Sequence, residues 1–328
     1  MPKKISEIEG VWRFISGSSK DDFYYVNSDK HLCHWRDNKS IKIIDSFNCE
    51  IVEPWSGGFL INENKFFIDD TVEQLFDGEV YSKSIINQEL LLIKKLDFVN
   101  EKVEYGIFNK TNYHINRINT PSNTHPLLYL NDDKIISHSD SDIYCHSING
   151  NLIWNQPFKA LINSSIGTIT KPIIDIDGSY FIGLGENKSD HLFQIDLDSG
   201  ECDELQYFQF EFFYNKQENI LSTEHQNNLL NLNLRTKKKE SWDVDALIKS
   251  NGFDSIHDHR CQCDKNSFYF TQTLGDDKAK IGCLDTVLKK LTFSHEFLPD
   301  NGGVSTIEQD ENYIFVCTQD NTLHIFEK

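Results

Sequence analysis

Residues 194–205 read Gln194-Ile195-Asp196-Leu197-Asp198-Ser199-Gly200-Glu201-Cys202-Asp203-Glu204-Leu205. A strand-like segment leads into a polar turn at Ser199-Gly200, and a second strand-like segment follows that turn. Five further hairpins of this kind have their turns at residues 38–39, 100–101, 149–150, 236–237 and 286–287. Successive turns are 37 to 62 residues apart, and most of the intervals are close to 50 residues. Such a recurrence of short strands indicates an all-β repeat fold.

A second hairpin precedes these turns. Residues 180–183, for example, form an apolar strand, and a polar tip at 186–190 separates it from the strand that enters the Ser199-Gly200 turn. We letter the four strands of a propeller sheet a to d in chain order. Because the two hairpins share a strand, each repeat supplies strands b, c and d of one sheet. Repeats of about 40 to 50 residues with four short strands are typical of β-propeller blades. Helical periodicity is weak, and residues 243–249 are expected to form one short turn at most.

The sequence predicts a single propeller domain over residues 1–328, with seven four-stranded blades and six or eight as the alternatives. The last repeat ends at 323–326 without a strand d, and the strand-like segment 10–16 has no hairpin partner. We therefore expect residues 10–16 to complete the last blade, because a blade left incomplete would expose a sheet edge. Residues 54–127 contain many strand-like segments without regular spacing, and are predicted to be an irregular blade region or an insertion.

Two of the repeats resemble those of quinoprotein-like and WD40-like propellers, in which Asp-Leu is followed by Thr or Ser, Gly and a later Leu or Trp. They are Ile195-Asp196-Leu197-Asp198-Ser199-Gly200 and Ile148-Asn149-Gly150-Asn151-Leu152-Ile153-Trp154. The regular Trp-Asp series of WD40 blades is missing, since Trp242-Asp243 stands alone. The resemblance implies the fold and carries no activity with it.

The chain is acidic, with 51 Asp and Glu residues against 32 Lys and Arg and a net charge of -19 at pH 7. This charge argues against nucleic acid as a partner and favours a basic protein. No run of 18 apolar residues occurs, and no apolar segment follows the first lysines, so we expect no membrane partner and no classical secretion signal. The eight cysteines fit reduced, buried thiols, which favours a cytoplasmic protein.

In a propeller the tips between strands b and c share one rim with the d–a connections, and the a–b and c–d turns share the other. The c–d turns here are richer in lysine, whereas the b–c tips carry carboxylates. We expect the following tip carboxylates to bind the basic partner: Asp29, Asp140, Asp142, Glu186, Asp190, Glu224, Asp276, Asp277 and Asp320. Trp55 lies in a connection on the same side and is predicted to be an aromatic anchor. The sequence thus predicts an acidic rim that orients a basic partner.

Residues 257–263 hold the residues best suited to a metal. On a regular strand, alternation would place His257, His259, Cys261 and Cys263 on one face. Imidazole and thiolate bind zinc, but one straight strand cannot surround an ion tetrahedrally. The preferred interpretation is therefore core packing and no metal, with His257 and His259 as the candidates if one is bound. Residues 175–179 resemble part of a calcium loop but match a hairpin turn better. No cofactor is expected.

The predicted function is non-enzymatic, because no nucleophile and base stand at an informative spacing. The acidity and the bias toward Asn, Ile and Lys resemble bacterial immunity proteins. That resemblance implies a protein, monomeric apart from its partner, that binds and occludes a basic toxin, such as a nuclease. The alternatives are a hydrolase or lyase acting in the central channel near His257 and His259, or a scaffold subunit of a larger complex.

Overall fold

A computed structural model of the protein describes residues 2–62, 64–75, 80–97, 102–118, 125–131, 134–147, 151–186, 189–208, 212–272 and 279–328. These residues form eight antiparallel sheets of four strands each, which we number 1 to 8 in chain order. The chain divides into two compact units. Residues 1–50 and 210–328 contain sheets 1, 6, 7 and 8, and residues 51–209 contain sheets 2 to 5.

The strands in chain order are β1 (Lys3–Ile8), β2 (Val11–Ser19), β3 (Asp22–Asn27), β4 (Leu32–Arg36), β5 (Lys39–Ile44), β6 (Val52–Trp55), β7 (Gly58–Ile61), β8 (Lys65–Ile68), β9 (Thr71–Gln74), β10 (Val80–Ile85), β11 (Leu90–Asp97), β12 (Lys102–Asn109), β13 (His114–Ile118), β14 (His125–Asn131), β15 (Lys134–His138), β16 (Asp142–Ser147), β17 (Leu152–Pro157), β18 (Thr168–Ile176), β19 (Ser179–Glu186), β20 (Ser189–Ile195), β21 (Cys202–Phe208), β22 (Phe212–Asn215), β23 (Ile220–His225), β24 (Asn228–Asn233), β25 (Lys239–Asp243), β26 (Ile256–Asp264), β27 (Ser267–Gln272), β28 (Lys280–Asp285), β29 (Lys290–Glu296), β30 (Val304–Gln309), β31 (Tyr313–Thr318) and β32 (Leu323–Glu327). Sheet 1 is β2 to β5, and each later sheet takes the next four strands up to β29. Sheet 8 has the spatial order β30-β31-β32-β1.

Helix is scarce among these residues, as the weak helical periodicity predicts. The helices are α1 (Phe158–Leu161), α2 (Asp245–Ser250) and a 3-10 turn at Pro299–Asn301. No helix in the described part of the chain is long and apolar enough to cross a lipid bilayer.

The first strand completes the last sheet, but it is not the strand that the sequence predicts. β1 pairs antiparallel with β32, from Lys3 opposite Glu327 to Ile8 opposite Leu323. The predicted closing segment, residues 10–16, lies instead in β2 and pairs with β3 as the first strand of sheet 1. Gly10, with φ of +79°, makes the turn between β1 and β2. Both segments are strand-like, and local sequence does not reveal which one has a distant partner.

The predicted count of seven blades is wrong, since the structure has eight four-stranded sheets. Within the predicted irregular region, 54–127, lie most of sheet 2, all of sheet 3 and the start of β14. The strands of sheet 2 have only four residues each, and its last turn, at Asp69-Asp70, lacks the Ser-Gly or Asn-Gly signal of other repeats. The hairpin around 100–101 joins β11 to β12, the second and third strands of sheet 3, and not a third strand to a fourth. The counting error arises from these two sheets.

The middle strands of the sheets are the most deeply buried, and the fourth strands are more exposed. Residues 314–318 of β31 and 268–272 of β27 are buried throughout, whereas residues 239–241 of β25 are exposed. The buried strands read as continuous apolar runs because neighbouring elements cover both of their faces. All eight cysteines are free thiols, and six of them are buried.

Candidate functional site

The predicted acidic tips fall into an exposed set and a buried set. Five of the carboxylates lie at or beside turns between second and third strands and are at least partly exposed: Asp29, Asp140, Asp142, Glu186 and Asp320. Asp276 and Asp277 lie outside the described residues. The exposed set is spread over four different sheets, so the described tips do not form one contiguous cluster in sequence or in a single sheet.

Glu224 and Asp190 are buried, which corrects the prediction that they are exposed at the rim. Glu224 Oε1 accepts a hydrogen bond from the backbone N–H of Asn227 at 2.6 Å. The Asn227 amide donates to Asp245 Oδ1 at 2.7 Å and accepts from the backbone N–H of Ile256 at 3.2 Å. Glu224 is therefore part of the network that stabilises the turn between β23 and β24, since a buried turn must satisfy its own N–H groups.

Trp55 is also buried and is not an exposed anchor, contrary to the prediction. Its side chain is 1% exposed and lies edge-on to Phe66, with ring centroids 5.3 Å apart. The indole N–H donates to the carbonyl oxygen of Asn87 at 2.7 Å. Trp55 joins the apolar core of sheets 2 and 3, because a buried indole is stable when its N–H finds an acceptor.

The residues at 257–263 do not share one face as regular alternation predicts. The register of β26 shifts between Ile256 and Cys261, so that His257 is buried while His259 is exposed. His257 Nδ1 accepts a hydrogen bond from the backbone N–H of His259 at 3.1 Å. Burial raises the pKa of the Cys263 thiol to about 12, which disfavours the thiolate that a metal would need. Within the described ranges, no group of three or more His, Cys, Asp or Glu residues is placed to hold a metal ion.

A polar cavity of about 450 Å³ opens at sheet 5, in the unit of residues 51–209. It is lined by two turns of that sheet, by the first residues of β21 and by Lys134 of sheet 4. The lining residues are Lys134, Gly178, Ser179, Tyr180, Gln194, Ile195, Asp196, Leu197, Asp198, Glu201 and Asp203. Four of these side chains are carboxylates, and all four are exposed. The cavity lies beside one first-to-second-strand turn and one third-to-fourth-strand turn of sheet 5, on the side that the sequence predicts to be richer in lysine.

The turn at 196–200 is held rigidly beside the cavity. Asp196 Oδ1 accepts hydrogen bonds from the backbone N–H groups of Asp198 at 2.9 Å and Ser199 at 2.7 Å, and also from the Ser199 hydroxyl. These hydrogen bonds lower the pKa of the Asp196 carboxyl, which therefore stays ionised. On the other side of the turn, the indole N–H of Trp154 donates to the Leu197 carbonyl at 3.0 Å. A site on such a turn is preorganised.

The charges at the cavity favour a cationic ligand. Lys134 forms an ion pair with Asp198, whose side chain is 85% exposed. The carboxylates of Glu201 and Asp203 also line the cavity, so its negative charges outnumber the one lysine. The Gln194 Oε1 atom is buried and accepts no hydrogen bond from the described residues. The lining contains no histidine or cysteine. The chemistry available is therefore hydrogen bonding and ion pairing to the ammonium or guanidinium group of a basic side chain.

We expect the variant Gly200→Ala to destabilise the protein more than Gly178→Ala. Both glycines have positive φ, +77° and +82°, so alanine strains the backbone at each by about 1 to 2 kcal/mol. A Cβ at Gly200 would lie 2.6 Å from the Trp154 ring, whereas one at Gly178 meets nothing within 4 Å. Overpacking should add about 1 to 3 kcal/mol for Gly200→Ala alone. Urea unfolding of both variants measures the difference, and equal losses would show that the turn does not press on Trp154.

Comparisons with known proteins support the β-propeller fold. The chain is similar to the crystal structure of Saccharomyces cerevisiae Sqt1, with 10% identity, a TM-score of 0.55, and coverage of 99% of this chain and 98% of that one. It is also similar to the extracellular domain of the hybrid two component system BT4673 from B. thetaiotaomicron, with 10% identity, a TM-score of 0.51, and coverage of 96% and 52%. No protein-family model and no curated protein matches the sequence. At these identities the likeness shows the fold alone: the chain is an all-β propeller, as the sequence predicts, with eight sheets.

The cavity itself was missed by the sequence argument. Its carboxylates, at 196, 198, 201 and 203, stand in the same segment that identifies the repeat. Their density is a usable signal, although the repeat pattern by itself predicts only a turn at this place. Lys134 comes from another sheet, and no local sequence pattern predicts that it lies beside these carboxylates.

Proposed function

We propose that this protein is a non-enzymatic, protein-binding propeller that holds a basic partner at the acidic cavity of sheet 5. The observation that carries the proposal is the cavity of about 450 Å³ with four exposed carboxylates, two of them in the turn at 196–200 and two just after it. The net charge of -19 supports it, because long-range attraction speeds the encounter with a cationic partner. In this proposal the binding surface is a local site formed by sheet 5 and Lys134 of sheet 4, whereas the sequence predicts a rim that spans many tips.

The narrower form of this proposal is that the partner is a toxin, which the propeller neutralises in the cytoplasm by covering its active site. Acidity is its support: a cationic nuclease would offer Lys and Arg side chains to the carboxylates of the cavity. Short ion pairs at a partly enclosed site fix the orientation of a partner more than they raise its affinity. A toxin held in one orientation would be blocked without any chemical step.

Charge reversal at the cavity tests the proposal. We expect the triple variant Asp198→Lys, Glu201→Lys, Asp203→Lys to bind a fluorescent octa-arginine peptide at least about tenfold more weakly than the unmodified protein at 50 mM NaCl. Anisotropy titrations at 50 and 500 mM NaCl measure the affinity and its dependence on screening.

The matched control separates a local site from overall charge. The triple variant Asp21→Lys, Asp45→Lys, Glu311→Lys makes the same change in net charge at exposed positions outside the cavity. We expect it to lose less than about threefold in affinity, because none of these three side chains lines the cavity and salt weakens attraction over longer distances. Equal losses in the two triples would show that net charge alone attracts the peptide, and would contradict a binding site at the cavity.

A further inference from the structure

Two large aliphatic side chains stand exposed at the turn between β28 and β29 of sheet 7. Val287 is 65% exposed and Leu288 is 62% exposed. Lys289 and Lys290 follow directly and are exposed as well. Exposure of two adjacent aliphatic residues beside two lysines gives the tip of this turn an amphipathic character.

Equivalent turns in two other sheets show that this composition is not required by the fold. In sheets 5, 6 and 7 the side-chain oxygen of an Asp or Asn accepts hydrogen bonds from the backbone N–H groups of the second and third residues after it. The fourth residue after that Asp or Asn has positive φ in all three turns. The tip pairs are Asp198-Ser199 in sheet 5, Arg235-Thr236 in sheet 6 and Val287-Leu288 in sheet 7. The residue before each tip is a buried leucine in sheets 5 and 6 but Thr286 in sheet 7. Sheet 7 therefore places its apolar side chains outward where the other two place them inward.

Three backbone N–H groups of this tip already have acceptors within the protein. Asp285 Oδ1 accepts the N–H groups of Val287 at 3.0 Å and Leu288 at 2.7 Å. The Thr286 N–H and hydroxyl both donate to the carbonyl oxygen of Asn266, at 2.8 and 3.1 Å. Moving a turn into an apolar medium is costly mainly when N–H groups lose their water without another partner. Here the N–H groups of the tip would keep their partners.

The surroundings of the tip are basic, although the whole chain is acidic. The turn segments 235–240 and 285–290 of sheets 6 and 7 carry six basic side chains against two acidic ones: Arg235, Lys237, Lys238, Lys239, Lys289 and Lys290 against Glu240 and Asp285. Glu240 is paired with Lys238 at 2.7 Å. The pKa of Glu240 is lowered mainly by Lys238 and to a smaller extent by Lys289, which shows that the two turns lie within electrostatic reach of each other.

We propose that this basic, apolar-tipped pair of turns is a peripheral binding site for an anionic lipid bilayer, with Val287 and Leu288 entering the interface and the lysines facing the headgroups. Two adjacent exposed aliphatic side chains suit a bilayer, which accommodates an apolar side chain without a complementary shape. Each lysine near an anionic surface adds attraction, and at 150 mM salt repulsion from carboxylates is screened over about 8 Å. The sequence-based expectation of no membrane partner concerned spanning segments, which such a contact does not need.

Vesicle binding of the full chain tests this inference. We expect sedimentation with phosphatidylcholine vesicles that contain 30 mol% phosphatidylserine at 150 mM NaCl, and at least tenfold weaker binding to pure phosphatidylcholine. The variant Val287→Ser, Leu288→Ser should bind at least tenfold more weakly. Lys289→Gln, Lys290→Gln should lose about 25-fold, or about fivefold per lysine. The matched control Lys20→Gln, Lys159→Gln removes the same charge at exposed positions outside sheets 6 and 7 and should change binding less than twofold.

A direct readout of insertion comes from Leu288→Trp, whose fluorescence should shift to shorter wavelength on addition of the anionic vesicles. No binding to those vesicles, or equal binding by all variants, overturns the proposal. A third outcome is that the protein does not bind the vesicles but binds a polyglutamate peptide, and that the Val287 and Lys289 variants abolish this binding. It would identify an acidic protein as the ligand and would also overturn the proposal of a membrane site. These outcomes are independent of the octa-arginine measurements, because the variants lie outside the cavity.

Discussion

Replacement of Phe315 by alanine is expected to lower the free energy of unfolding by about 4 kcal/mol. Phe315 lies in β31 of sheet 8, is fully buried and stacks on Phe14 of sheet 1, with ring centroids 4.0 Å apart at 15°. The same cluster includes Ile8 of β1 and Phe23 of β3, so the ring belongs to a core that draws side chains from both sheets and from the closing strand. Truncation removes the buried ring and leaves a cavity that surrounding strands cannot fill, because their backbones are fixed by pairing.

Urea unfolding of purified Phe315→Ala and Phe315→Leu checks this expectation. Leucine keeps much of the apolar volume, and we expect it to lose less than about 2 kcal/mol. A second control, Phe47→Ala, changes a partly exposed ring outside that cluster and should have a smaller effect than Phe315→Ala. A loss below about 1.5 kcal/mol in Phe315→Ala would contradict the packing of sheet 8 on sheet 1.

Acid is expected to weaken the protein through His324, which is fully buried in β32. Its Nε2 lies 3.1 Å from the Thr318 hydroxyl, and its Nδ1 lies 3.7 Å from Glu7 Oε2 of β1. Burial lowers the pKa of His324 to about 4. The charged groups that act on it are Lys4 and His295, which lower its pKa, and Glu7 and Asp320, which raise it.

The sign of the effect follows from the two pKa values of the histidine. Unfolded, it titrates near 6.5, so between pH 6.5 and 4 the unfolded chain binds a proton that the folded chain does not. The free energy of unfolding should therefore fall as the pH drops below about 6.5 and level off below about 4, by up to about 3 kcal/mol from this group.

The variant His324→Gln isolates that contribution. Glutamine keeps an N–H donor for Thr318 and does not titrate, so its stability should fall less between pH 7.5 and 4 than that of the unmodified protein. Urea titrations at several pH values give both curves, and the carboxylates that titrate in the same range contribute to each. Parallel curves would mean that His324 is not buried in its neutral form.

The repeat turns made most of the fold predictable from sequence. Where an Asp or Asn caps a turn through its side chain, as Asp196 and Asn233 do, the polar signal is strong and the hairpin is placed correctly. Sheet 2 lacks this signal, because its last turn relies on positive φ at Asp69 and Asp70 and its strands have four residues. Positive φ is a property of the backbone that such a sequence shows only weakly.

The site was less predictable, because burial depends on distant parts of the chain. Glu224 and Trp55 have the composition of an exposed tip and an exposed anchor, but each finds hydrogen-bond partners that fold over it. The paired Thr318 and His324, and likewise Ser137 and His146 at 3.0 Å, are buried polar pairs across neighbouring strands. Pairs of this kind depend on strand register, because a shift of one residue would turn the side chain to the other face of the sheet.

The pairing of β1 with β32 has a consequence for how the chain folds during synthesis. β1 emerges from the ribosome more than 300 residues before β32, which at cellular rates is a delay of about 15 to 60 s. Throughout that delay β1 has no partner strand in its own sheet. Once β32 has been synthesised, the edge of β32 stays unpaired until β1 pairs with it. In a polysome, where several nascent chains lie close together, the β1 strand of one chain can pair with β32 of another. Correct assembly therefore depends on the local concentration of a chain's own β1, which its short connection at Gly10 to sheet 1 keeps high.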